Sequence, residues 1–167
     1  MLDFLVRFAL TGSAGLLRLG APLRDLVAEY GGPWDIGRVG KHDRWPHLYS
    51  YGDVEFTVCR CRMVTHISVP TWRETVELPP GLGTVPATVT YRQLTEALSA
   101  AGCAWEPLPP IPGQCGIRAM PERIEFVFVT EEEPEPLLHG AHSWFLPHDC
   151  IDTATAAARF PDDLPPE

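Results

Sequence analysis

Two short runs carry the residue types that do chemistry. Cys59-x-Cys61-x4-His66 places two thiols one residue apart with an imidazole close behind, and His139-x2-His142-x5-His148-x-Cys150 adds three imidazoles and a thiol. Thiolate and neutral imidazole are the donors that zinc takes, and a structural zinc site wants four of them converging as a tetrahedron. The first run supplies three. If its strand is regular, Cys59 and Cys61 share one face and a turn at 60–62 splays them, which reads as a hairpin carrying small half-buried cysteines. In the second run, loop histidines around Pro147 suit zinc or copper. His139, His142, His148 and Cys150 are therefore the runner-up reading, as metal ligands or as residues of a small hydrolytic enzyme. Neither run alone offers four convergent ligands, so the expectation is no metal and no cofactor.

Other catalytic patterns are incomplete. Serine, histidine and aspartate are all present, but no G-x-S-x-G elbow precedes a helix, and Gly81-Leu82-Gly83 lacks the rest of a phosphate loop. Glu55 and Glu125 lie at comparable places in two strand patterns; a carboxylate pair for acid–base work is one reading, two solvated outward-facing residues the other. Glu131-Glu132-Glu133 with Glu135 reads as a solvated turn or an acidic rim for a basic partner.

Composition narrows the function class. A net charge of −9 over 167 residues and a pI near 5.1 oppose binding to nucleic acid or an anionic membrane, because displacing a polyanion's counterions takes concentrated Lys and Arg. A protein partner, basic or neutral, is the natural counterpart. Lysine occurs once, at Lys41, and asparagine not at all, a bias typical of GC-rich genomes such as those of actinobacteria. Five cysteines form no regular framework, so a reducing cytoplasm is expected. Asp3 and Arg7 interrupt the apolar residues of the N-terminus, which reads as a short amphipathic helix rather than a cleaved leader, and no run reaches the length of a membrane span.

The elements that must position these residues follow from periodicity. Pro22 opens a helix in which Leu23, Leu26, Val27 and Tyr30 recur until Gly31-Gly32-Pro33 stops it. Residues 48–58 read as one strand, with Val54, Phe56 and Val58 alternating against Asp53, Glu55 and Thr57, and 63–69 as the next. Thr90-x-x-Gln93 is a capping box heading a second helix through Leu94 and Leu98 to Gly102, and Ile124, Phe126 and Phe128 mark a further strand. The two halves superpose: a shift of 71 takes Leu23 to Leu94, Val27 to Leu98, Gly31 to Gly102 and Trp34 to Trp105, and a shift of 70 takes Glu55 to Glu125. Trp34 and Trp105 are expected in the core.

A helix ending in G-x-P, then "YGDVEF" and a strand ending "MVTHISV", resembles the helix-plus-antiparallel-sheet unit of SmpA-type small lipoproteins and of β-lactamase inhibitory protein, a tandem of two such units. Comparable units occur among bacterial immunity proteins. The resemblance implies an α+β fold of two tandem repeats, each a helix packed on an antiparallel sheet, with a short N-terminal helix. The boundaries are 1–78 for the first repeat, 79–87 for a Pro/Gly-rich linker, 88–150 for the second repeat and 151–167 for a partly disordered tail. It also implies a non-enzymatic inhibitor or immunity protein, against which a small enzyme and a structural adaptor are the competing classes. With helices on one side of the sheet, the open side is expected to present Tyr49, Tyr51, Asp53, Glu55 and Thr57, and Trp72, Glu125 and Trp144 complete the expected partner surface.

Overall fold

The computed structural model describes residues 1–41, 45–130, 135–150 and Thr155. The expected tail from 151 on, Thr155 apart, and the Glu131–Glu133 turn lie outside them. The elements in chain order are α1 (Leu2–Thr11), β1 (Ser13–Ala14), β2 (Leu17–Arg18), α2 (Leu23–Tyr30), β3 (Trp34–Arg38), β4 (His47–Tyr51), β5 (Val54–Val58), β6 (Val64–Pro70), β7 (Thr75–Glu77), β8 (Thr84–Pro86), α3 (Tyr91–Ala100), β9 (Trp105–Pro107), β10 (Gln114–Ala119), β11 (Ile124–Val129) and β12 (Leu137–His142).

One antiparallel sheet of eight strands, ordered β3-β4-β5-β6-β12-β11-β10-β9, runs through the whole molecule. Its apolar face packs under the helices. Phe56 and Ile67 are opposite one another, as are Phe126 and Ala141, and all four are fully buried. From the helical side Leu5 and Phe8 of α1, Leu23 and Leu26 of α2, and Leu94 and Leu98 of α3 close the core. The capping box of α3 forms as read: the Gln93 amide donates to Thr90 Oγ1 and the Thr90 amide to Gln93 Oε1. Segment 79–87 is mostly part of a packed hairpin, in which β7 and β8 pair and Val76, Leu78 and Ala87 are buried. No helix among the described residues is long and apolar enough to cross a membrane.

The structure corrects the sequence reading of the strands and the core at four places. Residues 48–58 are two strands, not one, because Tyr51 pairs with Val54 across a two-residue turn at Gly52-Asp53. Gly52 has φ 58°, and a Cβ there would lie 2.5 Å from the Glu77 carbonyl oxygen, so the turn requires glycine. That turn reverses the parity, and Tyr49 and Tyr51 fall on the buried face with Phe56 instead of on the open one. Trp34 is 77% exposed because it stands on edge strand β3 opposite Ser50, on the face that the helices leave open, whereas Trp105 is half-buried edge-on to Tyr91. Val27 is exposed: α2 stops at Tyr30 and turns its Leu23–Leu26 stripe inward, so the match of Val27 to Leu98 does not extend to burial.

Candidate functional site

The open face of the sheet is organised by strand register. Residues directly opposite one another on antiparallel strands share a face. From one edge to the other, Trp34 faces Ser50, Ser50 faces Glu55, Glu55 faces Ser68, Ser68 faces His142, His142 faces Glu125, Glu125 faces Arg118, and Arg118 faces Glu106. This single row crosses all eight strands and is polar from Ser50 to Glu106. Arg118 holds it together at one end, with Nη2 2.7 Å from Glu125 Oε1 and Nη1 3.1 Å from Glu106 Oε1. At the centre His142 Nδ1 lies 3.1 Å from Ser68 Oγ, and the His142 and His66 rings stack at 6.1 Å. Burial holds both imidazoles below the usual histidine range; His142 depresses His66 further, while Glu125 and His139 act on His142 in opposite directions. A depression of about 320 Å³ beside this row is lined by Ser50, Glu55, Ser68, Trp72, Arg73 and His142, among others.

Exposed apolar side chains stand along the row. Trp34, Ile36, Trp72, Trp144 and Phe145 are each more than two-fifths exposed. Two of the tryptophans carry a guanidinium, Arg73 at 4.8 Å from the Trp72 ring and Arg123 at 3.8 Å from Trp144.

Of the residues expected on the partner surface, Glu55, Glu125, Trp72 and Trp144 are on or beside this face. Asp53 is in the hairpin turn, where its carboxylate accepts from Arg73 Nη1 and from the Glu77 amide, both at 2.8 Å. Thr57 is buried and bonded to Thr65 Oγ1 at 3.0 Å, and Tyr49 and Tyr51 are in the core, so none of these three is available to a partner. The Tyr51 hydroxyl donates to the Gly31 carbonyl oxygen at 2.8 Å, and burial, aided by the nearby Tyr30, pushes its pKa up to about 12. Trp34, Ile36 and Arg118 also stand on or beside this face, where the sequence reading did not place them. Arg118 was readable as the charge opposite Glu125 once β10 was paired with β11, but the intervening loop hid that register.

The chemical runs are recombined by the fold. His142 goes to the open row with His66 stacked on it, and exposed His139 lines the depression beside the row. The rest meet at one end of β5: the donor atoms of Cys59, Cys61, His148 and Cys150 all lie within 4.8 Å of one another. Cys59 and Cys61 flank Arg60 in the β5–β6 turn, which is closed by the Arg62 amide on the Cys59 carbonyl with Arg62 at φ 61°. Far from splaying the two sulfurs, this turn gathers them. After β12 the chain keeps beside β6, the Ser143 amide bonding the Ile67 carbonyl and the Leu146 amide the Thr65 carbonyl, and this path delivers His148 and Cys150. His148 Nδ1 lies 3.8 Å from Cys59 Sγ and 3.3 Å from Cys150 Sγ. Burial pushes the Cys59 thiol up to about 11 against the opposing Met63 and Cys61 amides. Burial also acts to raise Cys150, but hydrogen bonds from His148, Cys59 and Cys61 outweigh it and hold that thiol below the usual range. Two ligand candidates from each run thus form a set of four that neither run holds alone.

Comparison of the chain with protein-family models, with curated proteins and with solved structures finds no match.

Proposed function

We propose that this chain is a non-catalytic protein-binding module, an inhibitor or immunity protein that covers a toxin or enzyme with the open face of its sheet. The observation that carries the reading is the combination on that face: a continuous polar row from Ser50 to Glu106 bordered by the exposed Trp34, Ile36, Trp72, Trp144 and Phe145. Tryptophan and arginine are the residue types that dominate interface energies, and fixed charge pairs supply register and steering. The net charge of −9 favours a basic or neutral partner.

We further read the molecule as a duplication. Each half is a helix followed by four antiparallel strands, and the strand order is mirrored about the β6–β12 seam. Leu23 and Leu94 are both buried, and Glu55 and Glu125 stand one strand out from the seam on either side in the same row. These features favour the likeness to the tandem units of β-lactamase inhibitory protein, and with it the inhibitor class.

The Ser68–His142 contact is the observation that favours a hydrolytic enzyme instead. Against it, the Glu125 carboxylate that stands opposite His142 is engaged by Arg118 at 2.7 and 3.0 Å, which leaves it an ion-pair partner and not an orienting base. The two classes separate experimentally. The chain is used as bait in host lysate, and the captured protein is purified and its binding measured against variants. Trp72→Ala is expected to weaken binding by about 2 kcal/mol, and Glu55→Gln to slow association and reduce its salt dependence, with the fold unchanged. Failure to recover a partner, together with substrate turnover that His142→Gln abolishes, would replace the binding reading with the enzyme reading.

A further inference from the structure

We infer that Cys59, Cys61, His148 and Cys150 form a structural zinc site that fastens segment 143–150 to the β5–β6 turn. The site is distinct from the open polar row and does not depend on how that row is used.

The geometry suits the ion. Zinc–sulfur bonds of about 2.3 Å in a tetrahedron put neighbouring sulfurs about 3.8 Å apart, and an imidazole ligand comes slightly closer. The separations of 3.8 Å for Cys59–His148 and 3.3 Å for His148–Cys150 bracket that spacing, and no pair in the set exceeds 4.8 Å. Small side-chain adjustments bring four donors onto one centre. Three sulfurs and one imidazole are a soft set that selects zinc over magnesium or calcium, whose ligands are oxygens. Each thiol that binds releases its proton to solvent, so three thiolates on a dication leave one net negative charge. Arg60 lines one pocket together with Cys59, His148 and Cys150, so cationic charge is at hand to offset it.

The arrangement is also graded as a clip should be. Cys59 is buried, Cys61 and His148 are half-buried and Cys150 is exposed, so the ion closes the site from the protein outward. Two ligands come from a rigid hairpin turn with a fixed hydrogen-bond pattern, and two from a segment without regular secondary structure that approaches from 89 residues away in the chain. Ordering such a segment costs conformational entropy, and a metal bond is a means by which short irregular stretches are held.

The test uses the full chain, untagged and purified under reductant without chelator, with zinc and total protein quantified together. About one zinc per chain is expected, as is a visible spectrum of tetrahedral cobalt thiolate after exchange into cobalt. Cys150→Ser, at an exposed position that tolerates the change, is expected to weaken zinc affinity by at least about 100-fold, since loss of supporting groups alone costs 10–100-fold. Cys115→Ser and His139→Gln, outside the set, are expected to retain full stoichiometry. Circular dichroism of each variant confirms the fold. The inference is overturned if the reduced chain binds no zinc from added zinc chloride, if cobalt gives an octahedral spectrum, if a Cys59–Cys150 disulfide persists in place of the metal, or if Cys150→Ser binds as tightly as the parent.

Discussion

Ser68 Oγ and His142 Nδ1 lie 3.1 Å apart across the strand pair that joins the two halves of the sheet. Half-buried His142 and the His66 ring stacked on it make the centre of the open face sensitive to protonation. Burial keeps His142 and its neighbour His66 neutral to lower pH than a free histidine, so below the ordinary value of 6.5 the unfolded chain holds more protons than the folded one. Their contribution to stability is complete above pH 6.5 and is lost as pH falls toward their lowered folded values. Urea unfolding from neutral pH to about pH 5 is expected to show this loss, and His66→Gln to flatten the profile in that window. An unchanged profile in the variant would mean that other groups carry the dependence.

Tyr51 is a stability residue. Its ring stacks on Phe56 at 5.4 Å and its hydroxyl bonds Gly31. Tyr51→Ala is expected to cost about 3–5 kcal/mol, as large-to-small changes at buried aromatics do, and Tyr51→Phe about 0.5–1.5 kcal/mol for the lost hydrogen bond. Chemical denaturation measures both.

Gly52 carries the hairpin on which the parity of the face depends. Gly52→Ala combines a positive φ with a 2.5 Å approach to a backbone oxygen that has no flexible end to move aside. A loss above about 1 kcal/mol is expected, and because the Asp53 amide bonds the Glu77 carbonyl at 2.8 Å, protection of that amide from hydrogen exchange should fall with it.

Leu23 and Leu94 anchor α2 and α3 on the sheet, at 6% and 0% exposure. Leu→Ala at either is expected to cost about 2–5 kcal/mol by denaturation, with the larger loss at the fully enclosed Leu94.

Much of this fold was legible in local pattern. The capping box at Thr90, the helix stop after Tyr30 and the alternation of Ile124, Phe126 and Phe128 are signals written within one element, and each appears in the structure. The open face was less legible, because its parity turns on two residues: a strand read straight through Gly52-Asp53 sends Tyr49 and Tyr51 to the wrong side. The cysteine–histidine cluster was not legible as a unit. Its halves are joined by the pairing of β6 with β12 and the path of residues 143–150 along β6, and no periodicity within either run encodes that meeting.

The pairing of β6 with β12 also determines how the chain can come apart. Pro70, Val69 and Ser68 lie opposite Gly140, Ala141 and His142, so the strand that would border either half alone is sealed by the other half. A cut at exposed Gly81 divides the covalent chain but leaves this ladder and the shared core intact, and the two fragments should remain one particle. Synthesised separately, each fragment would expose a full-length strand with unsatisfied backbone groups, a template for pairing with another copy or for aggregation. The seam therefore makes each half the cover for the other's inner strand.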